Sequence, residues 1–118
     1  MAEQDNPIRD VRWLGPDGKT AVVEASNEID MHRSNEFQQE LLRVLAEGPS
    51  RIVVDLSAVS YMDSSGVASL VKLLSRCSRQ KVKLTLAGMT PRVRSIFEIT
   101  KLETVFEIVS DVKEAVQS

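Results

Sequence analysis

The feature that most constrains the fold is an alternation between strand-like and helix-like spacing of apolar residues. "RIVVDLS", residues 51–57, is a nearly continuous apolar run of strand length, which is typical of a central strand covered on both faces. In the stretch that follows, apolar residues recur at intervals of three and four, which predicts an amphipathic helix. These residues are Val67, Leu70, Val71, Leu74 and Cys77. A strand that leads directly into a helix is the repeating unit of α/β folds.

The segment before this unit predicts a hairpin and a first helix. Residues 11–14 and 20–25 are short β-rich runs, and the "GPDGK" between them has turn chemistry. From Ser34 to Glu47 the apolar residues fall on one helical face, with Ser34 as the expected N-cap. Gly48, followed by a proline, suits the position just past the end of that helix.

The segment after it predicts two further strand–helix pairs. "VKLTLAG", residues 82–88, alternates apolar and polar side chains, which indicates a half-buried strand. Thr90 and Pro91 suit the N-cap and first turn of a third helix, whose apolar face includes Phe97. "TVFEIV", residues 104–109, is a last short strand, and Ser110 is the expected cap of a final helix.

The predicted order is therefore ββαβαβαβα. Strands that alternate with helices predict a mixed, mostly parallel sheet with right-handed crossovers, here opened by an antiparallel N-terminal hairpin. We expect one α/β domain over residues 8–118, preceded by a flexible N-terminus at residues 1–7.

Composition excludes several classes of partner. The 118 residues are 42% hydrophobic and 27% charged, as in globular proteins, and the formal net charge of -2 offers no basic stripe for nucleic acid. The apolar runs are too short to cross a bilayer, so no membrane insertion is expected. The first ten residues are polar and acidic, unlike a secretory signal, and the single Cys77 cannot form an internal disulfide. A cytoplasmic location is the expectation.

The same sequence is poorly equipped for catalysis. His32 and Cys77 are the only residues of their kinds, which argues against a zinc site or a Ser-His-Asp triad. No glycine-rich phosphate loop is present in the sequence. We therefore expect no enzymatic activity, no catalytic residue, no metal and no cofactor.

The chemically interesting residues follow the predicted parallel strands. In open α/β sheets, functional groups gather at the carboxyl ends of the strands. Asp30 follows one strand, and Asp63, Ser64 and Ser65 follow the next, so the topology predicts that they are neighbours. Two interpretations of the "DSSG" turn stay open: Asp63 or Ser64 caps the helix, or Ser65 is exposed at the helix N-terminus as a phosphoacceptor. The two are compatible.

Three blocks resemble the STAS family, specifically the bacterial anti-sigma-factor antagonists. "IVVDLSAVSYMDSSGVASLVKLL" is similar to the family's apolar strand, Asp-Ser-Ser-Gly turn and helix. "NEIDMHRSNEF" is similar to the turn before the family's first helix, and "LAGMTPRVRSIFEITKL" to its third-helix segment. The resemblance covers about residues 8–116 and implies a single STAS-like domain.

The resemblance implies a regulator that is switched by phosphorylation. An anti-sigma factor that is also a serine kinase modifies the second serine of the turn, here Ser65, and a serine phosphatase reverses the modification. The unphosphorylated form binds the kinase. Asp30, Asp63, Ser64 and Gly66 then form the acceptor turn and contact the partner. A non-phosphorylated STAS subunit of an ABC-type lipid transporter is the alternative, although that type generally departs from the Asp-Ser-Ser-Gly turn.

Two positions depart from the family pattern. Asn27 and Lys101 stand where the family usually has glycine. Asn tolerates a left-handed turn, so little is lost at the first position. If the second position needs a positive φ, Lys101 is strained there by about 1 kcal/mol.

Overall fold

Nine secondary-structure elements alternate along residues 6–117, the part of the chain that the computed structural model describes. Their order agrees with the predicted ββαβαβαβα. The elements are β1 (Ile8–Leu14), β2 (Thr20–Ile29), α1 (Ser34–Ala46), β3 (Arg51–Met62), α2 (Ser64–Gln80), β4 (Lys83–Ala87), α3 (Pro91–Ile99), β5 (Glu107–Val109) and α4 (Val112–Gln117).

The strands form one sheet in the order β1-β2-β3-β4-β5. β1 pairs antiparallel with β2, and each later strand pairs parallel with the one before it. The predicted mixed, mostly parallel sheet with an N-terminal hairpin is thus confirmed. Because strand order follows chain order, each crossover steps the same way, which places α1, α2 and α3 together on one face of the sheet.

β2 and β3 run farther than their apolar runs predict. β2 continues past Ala25 to Ile29, and β3 continues past Ser57 to Met62, so the two strands end in register with Ile29 opposite Met62. The register shifts between Glu24 and Ser26 and again between Asn27 and Glu28, each time by one extra residue of β3, and the pairing continues through polar residues. This extension brings the loop after β2 and the loop after β3 side by side.

Alternate residues of the central strands belong to two separate cores. Val23 and Val54 face the large core, which also contains Phe37, Leu70 and Phe97 from the three helices. Their neighbours Val22 and Val53 face the opposite side, where they pack with Ala87 and with Ala115 of α4. The sheet is therefore covered on both faces near its centre, as the continuous apolar run of β3 predicted.

The prediction that β4 is half-buried is wrong. Leu84, Thr85, Leu86 and Ala87 are all buried. Thr85 is on the face that α4 covers, and its hydroxyl donates a hydrogen bond to Oε1 of Glu107 at 2.6 Å. A polar residue in the alternating pattern is thus buried with a partner rather than exposed to solvent.

The predicted apolar face of α2 needs one correction. Val71 is 39% exposed, whereas Leu73, which the prediction omits, is fully buried. Leu73 lies three residues after Leu70 and four before Cys77, so the buried stripe follows those three residues and leaves Val71 outside it.

Two of the predicted helix caps are confirmed and two are wrong. Thr90 accepts a hydrogen bond from the Val93 N–H, and Gly48 has a φ of 84° just past α1. Ser34 is instead the first helical residue of α1, because the Asp30 carbonyl accepts from the N–H groups of Arg33 and Ser34 in the preceding turn. At α4 the capping residue is Asp111, which follows Ser110.

This α4 cap is made by a carboxylate. Asp111 Oδ1 accepts the N–H of Glu114 at 2.8 Å, and the Ser110 hydroxyl donates to the side chain of Glu114 at 2.7 Å. Ser110 thus bonds the side chain of Glu114, the third residue of the helix. Asp111 accepts the backbone N–H of the same residue.

Of the predicted flexible N-terminus, residues 1–7, residues 1–5 lie outside the described residues. Pro7 is buried, and its carbonyl accepts a hydrogen bond from the Ser26 N–H at 3.0 Å. The boundary at residue 8 stays a prediction.

Candidate functional site

The turn between β3 and α2 is capped by a carboxylate rather than by a serine. Asp63 has extended backbone angles, and its Oδ1 accepts hydrogen bonds from the N–H groups of Ser65, at 2.9 Å, and Gly66, at 3.3 Å. These donors would otherwise be unsatisfied at the start of the helix. Of the two caps that the sequence left open, the structure selects Asp63. Ser64 is exposed and is the first residue of the helix.

The hydroxyl of Ser65 is oriented by the same carboxylate. Ser65 Oγ donates a hydrogen bond to Asp63 Oδ1 at 2.5 Å, and the side chain is only half-buried. The hydroxyl proton therefore points at Asp63, which leaves the oxygen lone pairs directed away from the carboxylate.

Asp63 also joins this turn to the loop after β2. Its Oδ2 accepts the N–H of Met31 at 3.1 Å, and its own N–H donates to the Ile29 carbonyl at 3.2 Å. The predicted meeting of the two loops is thus confirmed: Asp30 lies between two residues that contact Asp63. Asp30 itself accepts the N–H of His32 at 3.0 Å and shapes the turn into α1.

Hydrogen bonds lower the pKa of the Asp63 carboxyl. Partial burial raises this pKa by removing water from the charged form. Hydrogen bonds from the Ser65 hydroxyl and from the N–H groups of Gly66, Ser65 and Met31 outweigh that effect, so the pKa lies below its ordinary value of 3.8. Asp63 is therefore ionised at neutral pH.

Gly66 is buried where the turn packs against β2. A Cβ at this position would lie 2.9 Å from the Ile29 carbonyl oxygen and 2.7 Å from Cγ of Met62. Close approach of the helix to the strand therefore requires glycine at this position.

Exposed apolar side chains surround the turn, and the sequence pattern did not single them out. Met31 is 71% exposed, Ile99 is 76% exposed and Tyr61 is 37% exposed. Ile99 is the last residue of α3, and Tyr61 lies two residues before Asp63. The helical periodicity of α3 was available as a signal, since Ile99 falls outside the stripe of Val93, Ile96 and Phe97.

The two positions that depart from the family pattern both have a left-handed backbone. Asn27 has a φ of 65° beside the second register shift between β2 and β3, and Lys101 has a φ of 61° after α3. Strain at Lys101 was expected if this position has a positive φ, and it does.

Other types of site find little support within residues 6–117. In that part of the chain no three His, Cys, Asp or Glu side chains are grouped so that they could hold a metal ion. The same residues contain no helix of the length and apolarity needed to cross a membrane. Cys77 is fully buried, and burial raises its pKa to about 11, so the thiol stays protonated and unreactive.

Comparison with known proteins identifies the family of this arrangement. Residues 16–115 match the STAS domain. A STAS-domain containing protein of Pseudomonas aeruginosa is 32% identical over 92 residues, which cover 78% of this chain and 90% of that protein. The anti-sigma-B factor antagonist of Staphylococcus aureus is 30% identical over 86 residues, which cover 73% of this chain and 80% of the relative.

The fold is also that of a solved antagonist structure. The crystal structure of an anti-sigma factor antagonist from Mycobacterium paratuberculosis superposes with a TM-score of 0.78 at 25% sequence identity. The superposition covers 92% of this chain and 94% of that one.

Proposed function

Since this chain belongs to the STAS domain family, we propose that it is an anti-sigma-factor antagonist whose binding to an anti-sigma serine kinase is controlled by phosphorylation of Ser65. Unphosphorylated, it binds the kinase and thereby frees the sigma factor. Phosphorylated, it is released until a serine phosphatase removes the phosphoryl group. The chain is then a substrate and a binding partner rather than an enzyme, and it acts in the cytoplasm with these partners.

The observation that carries this proposal is the hydrogen bond from the Ser65 hydroxyl to Asp63 on an accessible helix N-terminus. In the kinase reaction Ser65 Oγ forms a bond to the γ-phosphorus of ATP, the bond to the β-phosphate oxygen breaks so that ADP leaves, and the hydroxyl proton passes to a base of the kinase or to water. Asp63 holds the oxygen in place for that attack. Ser64, on the neighbouring position of the helix, has no such arrangement with the capping carboxylate in the residues described.

Electrostatics explain how the modification would release the partner. A phosphoryl group brings a charge of about -1.5 to -2 at neutral pH. It also replaces the proton that Ser65 donates to Asp63, so an attractive contact becomes a repulsive one beside an ionised carboxylate. A kinase that docks closely on Asp30, Asp63 and Ser65 then meets added bulk and concentrated negative charge.

A co-purification tests the proposal directly. Tagged Ser65→Ala and Ser65→Glu forms are expressed in the native cell, and mass spectrometry identifies the proteins that they retain. We expect a protein with a serine-kinase ATP-binding domain to be held by the alanine form and lost from the glutamate form. The purified kinase should then label the wild-type chain and Ser64→Ala with radioactive phosphate, but not Ser65→Ala.

Two results would contradict the proposal. Equal recovery of an ABC ATPase with both forms would support the transporter subunit instead. Label that survives in Ser65→Ala and disappears in Ser64→Ala would move the acceptor to the neighbouring serine.

A further inference from the structure

A groove lies beside the "DSSG" turn and shares Asp63 and Ser64 with it. We call it the α3 groove, and its volume is about 410 Å³. It lies between the end of β3, the first residue of α2 and the outer side of α3. Its lining includes Tyr61, Asp63, Ser64, Arg92, Ile96 and Ile99.

The wall of this groove is apolar. Ile99 is 76% exposed and Tyr61 is 37% exposed, while Ile96 is half-buried against the core. A scattered exposed apolar residue is ordinary on a protein surface. Here several line one concave site, where an incoming apolar side chain would remove them from water together.

One cation lies at the mouth of the α3 groove. The Arg92 guanidinium carbon is 5.6 Å from the centroid of the Tyr61 ring, which fixes the charge over the ring face. Arg94, two residues further along α3, forms an ion pair with Glu98 at 3.6 Å. Glu98 is the acidic residue of α3. The carboxylate that lines the groove, Asp63, accepts hydrogen bonds from the α2 turn and from Met31. Within residues 6–117 no carboxylate forms an ion pair with Arg92, so its charge is available to a partner.

We propose that the α3 groove receives a segment of the anti-sigma kinase in which an apolar side chain stands beside a carboxylate. The apolar side chain would pack on Ile99 and Tyr61, and the carboxylate would pair with Arg92. This proposal rests on the proposed function, since the occupant is that same partner. Charge complementarity at Arg92 and the continuity of the groove with the acceptor turn, through Asp63 and Ser64, identify the occupant.

The groove and the acceptor have separate tasks in this arrangement. Ser64 lines the groove and Ser65 does not, since consecutive residues of a helix point about 100° apart. A kinase that straddles the first turn of α2 contacts both flanks. The α3 groove then supplies affinity that is independent of phosphorylation chemistry, and Ser65 supplies the control.

Binding measurements with matched variants test the proposal. The probe is the purified kinase that co-purifies with Ser65→Ala, titrated calorimetrically against Ser65→Ala and against the same chain with one further substitution. We expect Ile99→Asp and Arg92→Ala each to raise Kd by about tenfold or more. Arg94→Ala, on the same helix but outside the groove, and Val105→Ala, at a residue that is 52% exposed, should leave Kd within about twofold.

The outcomes separate this proposal from the proposed function. Unchanged affinity in both groove variants, with binding still lost in Ser65→Glu, overturns the groove and leaves the antagonist function in place. Weaker binding in both groove variants, with Ser65→Glu still bound, supports the groove and overturns the phosphorylation control. Failure of the Ser65→Ala chain to bind any kinase overturns both. Because Ile99 and Arg92 are exposed, circular dichroism should show all variants folded.

Discussion

At the scale of single residues, the carboxylate of Asp63 accepts hydrogen bonds that serve both the fold and the proposed reaction. It satisfies the Ser65 and Gly66 N–H groups at the start of α2, binds the Met31 N–H across to the neighbouring loop, and holds the Ser65 hydroxyl. A substitution here changes all of these contacts, so only a matched control separates a structural effect from a functional one.

Thr90, the cap of α3, supplies that control. Asp63→Ala and Thr90→Ala each remove a side-chain N-cap, and each should lower the free energy of unfolding by about 1 kcal/mol in urea denaturation. Only Asp63→Ala should slow phosphorylation of Ser65 by the kinase, by about tenfold or more, because only it releases the hydroxyl. Equal phosphorylation rates in the two variants would contradict an orienting role for Asp63.

The lowered pKa of Asp63 predicts how stability depends on pH. A carboxyl whose pKa is lower in the folded state stabilises that state above the ordinary value of 3.8, and the contribution is lost as the pH falls through 3.8 and then through the folded pKa. The stability difference between wild type and Asp63→Asn should therefore be fully present at pH 6 and shrink below pH 3.8, as followed by urea denaturation at each pH.

The difference between wild type and Thr90→Ala serves as the reference, because threonine has no ionisable side chain. That difference should stay constant over the same range. A difference for Asp63→Asn that grew on acidification would show that the hydrogen bonds do not favour the charged carboxyl.

At the scale of elements, the helices followed from apolar periodicity, whereas the residue that caps each helix had to be chosen among neighbouring polar groups. Gly48 and Thr90 were predictable because each acts within its own turn. Ser34 and Ser110 were not, because the Asp30 carbonyl and the Asp111 carboxylate satisfy the helix donors instead. The extension of β3 to Met62 likewise depends on pairing with β2, which one strand's composition cannot reveal.

The end of α3 carries backbone strain. Lys101 has a φ of 61°, where a side chain is disfavoured and glycine is not. We expect Lys101→Gly to raise the free energy of unfolding by about 0.5–1 kcal/mol, measured by urea denaturation. Lys81→Gly, at a φ of 59° after α2, should behave alike, and Lys72→Gly within α2 should lower stability by about 1 kcal/mol.

The junction of α2 with β2 tolerates no side chain at Gly66. A methyl group there would lie 2.9 Å from the Ile29 carbonyl oxygen, and backbone yields less than a flexible side chain. Gly66→Ala should lower the free energy of unfolding by about 1–3 kcal/mol in thermal or urea denaturation. Ser64→Ala, at the exposed first residue of α2, should stay within about 0.5 kcal/mol of wild type.

At the scale of the whole molecule, the sheet separates a large core from a small one. The strand pattern predicted the parallel sheet and the meeting of the two acidic loops, since both follow from strand order. It did not predict the burial of Thr85, because covering that face depends on where the short α4 returns. The apolar residues around the turn between β3 and α2 were missed for a similar reason: α3 brings Ile99 toward this turn from a distant part of the sequence.

Adjacent valines of β3 report on the two cores separately. Val54 faces the three-helix side and Val53 faces α4, and both are fully buried. Val54→Ala and Val53→Ala should each lower the free energy of unfolding by about 1–3 kcal/mol. Val71→Ala, at a residue that is 39% exposed, should have little effect. A neutral Val53→Ala would mean that α4 does not cover this face in solution.

Asp63, and neither serine, caps the first turn of α2. The fold of this turn therefore does not depend on the hydroxyl that the kinase would modify. The proposed phosphoryl group would be added to the Ser65 hydroxyl and removed again while the hydrogen bonds from the Ser65 and Gly66 N–H groups to Asp63 persist. The two signalling states would then differ by one phosphoester bond rather than by a change in protein conformation. The chain would pass through many rounds of phosphorylation and dephosphorylation without refolding. The lifetime of its phosphorylated form would be set by the phosphatase.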